Sequence, residues 1–141
     1  MTPDRHLAKA ERIASSLAKL TAADYELVIE AAMLAGTHWF NAAAHRHGIT
    51  RSDDDVMHVE YLPRALRVKI SLLAPGLTEL VDEIEQFRPI FVKGDVADGE
   101  AAAERCGELL DQLRYRARTA QRSPGLATYS ISTKGLAHRP E

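Results

Sequence analysis

The sequence predicts an all-α protein, an antiparallel bundle of four to five helices with a C-terminal tail. Three observations lead there. Aromatic residues make up only 6% of the chain while Ala and Leu abound, and these small or straight side chains lose little entropy in a helix. Apolar residues recur at spacings of three and four. Pro and Gly fall mostly between the resulting stripes, where they punctuate helices. A length of 141 residues fits one domain. Residues 1–121 are read as the helical bundle domain and 122–141 as a tail or arm, flexible or docked on a partner subunit.

The first helix is placed at Pro3–Leu20, with Thr2 as its cap and Leu7, Ala10, Ile13, Ala14, Leu17 and Leu20 on one face. The second runs from Ala22 to His47. Thr21 and Asp24 resemble a capping box at its start, and Gly48 stops it. Apolar residues cover most of its circumference, which places it centrally. Gly36 among Ala31, Ala32 and Ala35 leaves room for a neighbouring backbone or ring. Residues 48–62 carry turn and cap residues, with a short helical turn expected at Asp54–Tyr61. The third helix is placed at 63–73, with Lys69 extending its stem along the apolar face. The fourth is placed at 76–88 and ended by Pro89. Ile90–Ala97 reads as an extended connection. The fifth spans Asp98–Ala120 on a stripe that includes Cys106, Leu109 and Leu113. In the tail, Thr128–Thr133 has β-type alternation without a partner strand.

Composition narrows function. Lys and Arg number 18 against 20 Asp and Glu, a formal charge of −2, so there is no bulk attraction to nucleic acid or anionic lipid. The single cysteine, Cys106, cannot form an internal disulfide. It fits a reducing, cytoplasmic setting and reads as a core residue rather than a nucleophile. No signal-type apolar run is expected at the start. Leu27–Ala44 is interrupted by Glu30, His38 and Asn41, which makes it a buried helix and not a membrane span. The apolar burden of the second helix, together with the tail, leads us to expect a homodimer.

The group with most chemical content lies on the second helix. Glu30, His38, Asn41 and His45 share a face, with Leu34 between them and Thr37 beside them. His38 and His45 lie two turns apart, roughly 10 Å along the axis, too far to share an ion unaided. Such polar groups on a buried helix must find partners, and a polar seam satisfied within the fold is the favoured reading. A second group comprises Arg51, Asp53, Asp54, Asp55 and His58. Successive carboxylates bind a cation or cap a helix, but these lack the alternation and Gly of a calcium loop. His58 would pair with Asp54 if the intervening turn were helical. Two basic clusters, Arg64, Arg67 and Lys69, and Arg114, Arg116, Arg118 and Arg122, come without a Gly-rich phosphate loop and read as solvated faces. The chain has no Cys-x-x-Cys pair, Walker loop, dinucleotide fingerprint or nucleophile elbow.

The order of elements over about residues 3–120 resembles the HEPN superfamily of small helical bundles, often linked to nucleotides or RNA. The likeness rests on the early pair of long helices, the Ala-rich segment Ala31–Ala44 and the closing amphipathic helix. It also includes Arg51 followed, after six residues, by His58, a spacing similar to that of the superfamily's nucleases. The resemblance implies that Arg51 would bind the scissile phosphate and His58 would transfer protons. Many members are instead binding or partner modules. The first expectation is accordingly a non-catalytic helical binding or interaction module with a protein, nucleotide or RNA partner. The alternatives are a metal-independent ribonuclease using Arg51 and His58, and a divalent-metal protein. The metal set would draw on Asp54, Asp55 and His58, joined by His45.

Overall fold

Helix α1 (Pro3–Leu17) begins where the Thr2 hydroxyl accepts from the Arg5 amide at 3.4 Å, with Pro3 in the first turn, where a missing N–H costs nothing. In this computed structural model, residues 1–121 are described. The tail at 122–141, with Arg122 and Thr128–Thr133, lies outside them. Helix α2 (Tyr25–Arg46) is entered through a tight turn, Ala22–Asp24. There the Asp24 carboxylate accepts from the Thr21 amide at 3.0 Å, the capping pair read from sequence. Helices α3 (Arg64–Leu73), α4 (Leu77–Phe87) and α5 (Glu100–Thr119) follow. Among the described residues there is no strand, and no helix is long and apolar enough to cross a membrane. The fold is all-α, consistent with the antiparallel order.

Helix α2 is the axis of the molecule. It packs most extensively on α1 and α5 and less on α4. Its buried residues surround it: Ile29, Ala32, Ala35, Phe40 and Ala43 are each inaccessible to solvent. A Cβ on Gly36 would sit 3.3 Å from Leu113 Cδ1 and 3.5 Å from Ile84 Cδ1. The contact with Leu113 would be tight and that with Ile84 ordinary, so the absent side chain eases the close packing of α5 on α2. Cys106 lies in this core, and burial pushes its thiol up to about 12.

Three stretches differ from the sequence expectation. Helix α1 stops at Leu17, and Lys19 and Leu20 tighten onto Ser16 and Leu17. The turn expected over Asp54–Tyr61 is helical only at Val59–Tyr61, because the Val56 backbone is bonded to the Asn41 side chain instead of to a helical neighbour. Consequently the i, i+4 pair of Asp54 with His58 does not form. Finally, the connection after Pro89 begins as a wide π-turn, Arg88–Val92, closed by Lys93 N–H donating to Arg88 C=O at 3.0 Å. That turn keeps Phe91 and Val92 packed on the core, which an extended strand leaving Pro89 would not.

Candidate metal centre

The polar face of α2 meets two other pieces of chain, and both are held by it. Gly48, at φ 73°, turns the backbone into the left-handed region that glycine enters without steric penalty. Its amide donates to His45 C=O and the Ile49 amide to Ala44 C=O. This reversal lays Thr50 over His45, with Thr50 Oγ1 2.7 Å from His45 Nδ1. Lys69 Nζ donates to Ile49 C=O at 3.2 Å, so the stem read as lying along the α3 face ends on this loop. Asn41, 1% exposed, then grips Val56 twice. Its amide nitrogen donates to Val56 C=O and its oxygen accepts from Val56 N–H, each at 2.7 Å. A second donation, to Thr37 C=O at 2.9 Å, completes its pairing. The clamp fixes Asp55, the neighbouring residue, above the two histidines.

The third contributor is His6 on α1, 1% exposed. His6 Nε2 lies 3.0 Å and His45 Nε2 2.9 Å from the same oxygen, Asp55 Oδ1. All three atoms lie within 4.8 Å of one another. The Met1 amino group approaches both Asp55 oxygens at 3.1 Å and the Ser52 carbonyl. On its other side, His6 Nδ1 is 2.9 Å from His38 Nδ1. The ring of His6 stands 5.2 Å, centroid to centroid, from those of both His38 and His45. Thus the gap that separates His38 from His45 along α2 is bridged by a histidine from a different helix.

Protonation follows from this geometry. Burial alone would raise the Asp55 carboxyl, but the hydrogen bonds from His45, His6 and the amino terminus outweigh it and hold it at about 2. Asp55 is therefore ionised and only accepts, so both Nε2 atoms carry hydrogen. Burial lowers His6 below its ordinary value, against the pull of Asp55, and lowers His38 to about 4. With these two rings neutral, His6 Nδ1 accepts from His38 Nδ1–H, and His45 Nδ1 is paired with the Thr50 hydroxyl. Every polar atom that holds the three candidate ligands thus has a partner.

The sequence-derived candidates sort into three places. Asp55 and His45 meet in the cluster, and His38 buttresses it. Glu30 pairs with Arg88 at the rim of an adjacent cleft. Asp54 is exposed, its amide bonded back to Arg51 C=O. His58 lies apart from Asp54, with Nδ1 3.7 Å from Glu85 Oε1. Arg51, with its side chain 85% exposed, pairs with Asp53. Arg51 and His58 line different clefts, one beside His45, Thr50 and Asp53, the other beside His38 and Met57. His6 was missed by the sequence reading. Its only signal is register: it precedes Ala10, Ile13 and Leu17 by four, seven and eleven residues, so a polar ring falls on the apolar stripe of α1.

Two imidazoles and one carboxylate form the donor set that suits divalent transition metals. For metal–ligand bonds of about 2.1 Å, adjacent donors lie ~3.0 Å apart in an octahedron and ~3.4 Å in a tetrahedron. Three protein ligands would leave coordination positions for other donors. No family model, no curated protein and no solved structure matches this chain.

Proposed function

We propose that this protein is a divalent transition-metal-binding helical bundle whose ion is held by His6 Nε2, His45 Nε2 and Asp55. The observation that carries the reading is the convergence of those three atoms from three separate pieces of chain. Entry of the ion displaces the Nε2 hydrogens, and each imidazole then needs its hydrogen on Nδ1. Both outer partners accommodate this reversal: the Thr50 hydroxyl donates or accepts, and so does the neutral His38 ring. Partners of this kind set the tautomer and orientation of metal-bound histidines.

The test is cobalt(II) or zinc(II) titration of tag-free full-length protein, followed by calorimetry, with elemental analysis of the protein as purified. One ion per chain is expected. His45→Ala should abolish stoichiometric uptake while helical circular dichroism persists, and His38→Gln should weaken uptake by about 10- to 100-fold. Uptake by wild type no greater than by a folded His6→Ala/His45→Ala variant would overturn the proposal.

A second reading is favoured by the completeness of the pairing. The cluster would serve as a hydrogen-bonded clasp that fixes residues 48–58 on α1 and α2, within a non-catalytic interaction module. It predicts loss of stability in His45→Ala with no metal uptake by wild type. The HEPN-like ribonuclease reading requires Arg51 and His58 to act on one phosphate, and their separation into different clefts lends it no support.

A further inference from the structure

The end of α4 carries a carboxylate that the fold only half uses. Glu85 lies in the last turn of the helix with its side chain 10% exposed. Its Oε1 accepts from the Val59 amide at 3.2 Å, and His58 Nδ1 stands 3.7 Å from the same oxygen. Its Oε2 is buried and has no hydrogen-bond partner among the described residues. Four buried side-chain atoms of those residues are in that state, and Glu85 Oε2 is the one carboxylate oxygen; the others belong to Trp39, His47 and Thr78. A buried acceptor without a donor loses its hydration without replacement. Burial accordingly raises the Glu85 carboxyl above its ordinary value, against the pull of the Val59 and Glu60 amides and of His58. The last turn of a helix also favours positive charge.

Glu85 lines a cleft of about 340 Å³ between α4, the π-turn and the segment at 58–60, with Met33 of α2 in its wall. This volume is at the small end of ligand pockets. The fixed charges of the cleft are Glu60, Asp82 and Glu85 against Arg88 and Lys93. Asp82 is met by Arg67 at 3.2 Å, and Arg88 by Glu30. That leaves Glu60 and Glu85 against Lys93, so the cleft is short of one positive charge. The adjoining cleft over His6 shares Met33, His58 and Arg88 with it. There the Asp55 carboxylate is met by the Met1 amino group, so that neighbour adds no net charge. We infer that the Glu85 cleft binds a small primary amine in its ammonium form, with one N–H donating to Glu85 Oε2 and the carbon chain against Met33 and Pro89. A guanidinium is the poorer fit. Its fork matches both oxygens of a carboxylate, and the Val59 amide already holds Oε1. An anion would meet Glu60 and Glu85 as like charges.

The test is an amide nitrogen–proton NMR titration of the full chain, kept metal-free with a chelator so that its outcome is separate from that of the metal proposal. The probes are butylammonium, butylguanidinium, butanol and butyrate. Butylammonium should shift the Val59 and Glu60 amides saturably, in the millimolar range that so few atoms allow. Butylguanidinium should bind several-fold more weakly, and butanol and butyrate should not saturate those amides. Glu85→Gln keeps an oxygen for the Val59 amide and replaces the free oxygen with a donor. It should weaken butylammonium binding by about tenfold or more. The inference would be overturned by the absence of a saturable shift at Val59 and Glu60 with butylammonium, or by equal binding of any other probe. Unchanged butylammonium binding in a Glu85→Gln variant with wild-type helical dichroism would overturn it as well. The comparison of the four probes on the wild type decides the matter even where Glu85→Gln does not fold.

Discussion

The two sides of helix α2 bury themselves by opposite means. Toward α4 and α5 the helix offers Gly36, Ala and Phe, and the neighbours fit by shape alone. Toward α1 and the loop at 48–58 it offers His38, Asn41 and His45, which are buried or nearly so through hydrogen bonds. A dry face tolerates any substitution that conserves volume. A polar face tolerates only changes that leave no donor or acceptor stranded. The difference teaches that one helix can be the structural centre of a bundle on one side and the floor of a chemical site on the other.

The largest effect should come from breaking the dry side. Leu113 is fully buried against Gly36, and Leu113→Ala should cost about 3–4 kcal/mol by leaving a cavity that rigid helices fill poorly. Urea unfolding measures it, and a loss below about 1 kcal/mol would show that α5 collapses onto α2. A smaller loss is expected on the polar side. Asn41→Ala strands the Val56 amide and carbonyl, and should cost about 2 kcal/mol. It should also release Asp55 from its position, so metal affinity should fall alongside stability. Unchanged hydrogen exchange at Val56 would show that the clamp is dispensable.

The smallest effect sharpens the comparison through acid, in the metal-free protein. Burial lowers His38 from 6.5 to about 4 and lowers His6 as well, so below 6.5 the unfolded chain binds protons that the folded chain refuses. The stability linked to these rings is whole above that value and is lost as pH falls toward 4. Asp55 acts lower still: its contribution is present above 3.8 and disappears as pH falls through about 2. His38→Gln should therefore flatten the dependence of stability on pH between 6.5 and 4. The change expected is at most about 1 kcal/mol per pH unit, discounted for the partial exposure of the ring. An unchanged slope would mean that His38 is protonated in the fold.

Much of the bundle was legible in the residues. The stripes of α1, α2, α4 and α5, the Thr21–Asp24 cap and the stop at Gly48 are local features, set by neighbours three or four positions away. The segment at 54–58 was not legible, because the Val56 backbone is paired on both sides with Asn41, fifteen residues earlier. The candidate site was half legible. Polar interruptions of an apolar helix drew attention to His38, Asn41 and His45, and the acidic run drew it to Asp55. Choosing Asp55 over Asp54, and His6 over His58, needed knowledge of which side chains the loop and α1 would bring together.

The sequence by itself determined that this chain is helical, about where its main helices lie, and that α2 must be central, since periodicity and capping act within a few residues. Only the tertiary structure decided that one oxygen of Asp55 would sit about 3 Å from two imidazoles. Those contacts join residues 49 and 10 positions apart. No local rule reaches so far, because packing of α1 on α2 and the grip of Asn41 on Val56 set the distance.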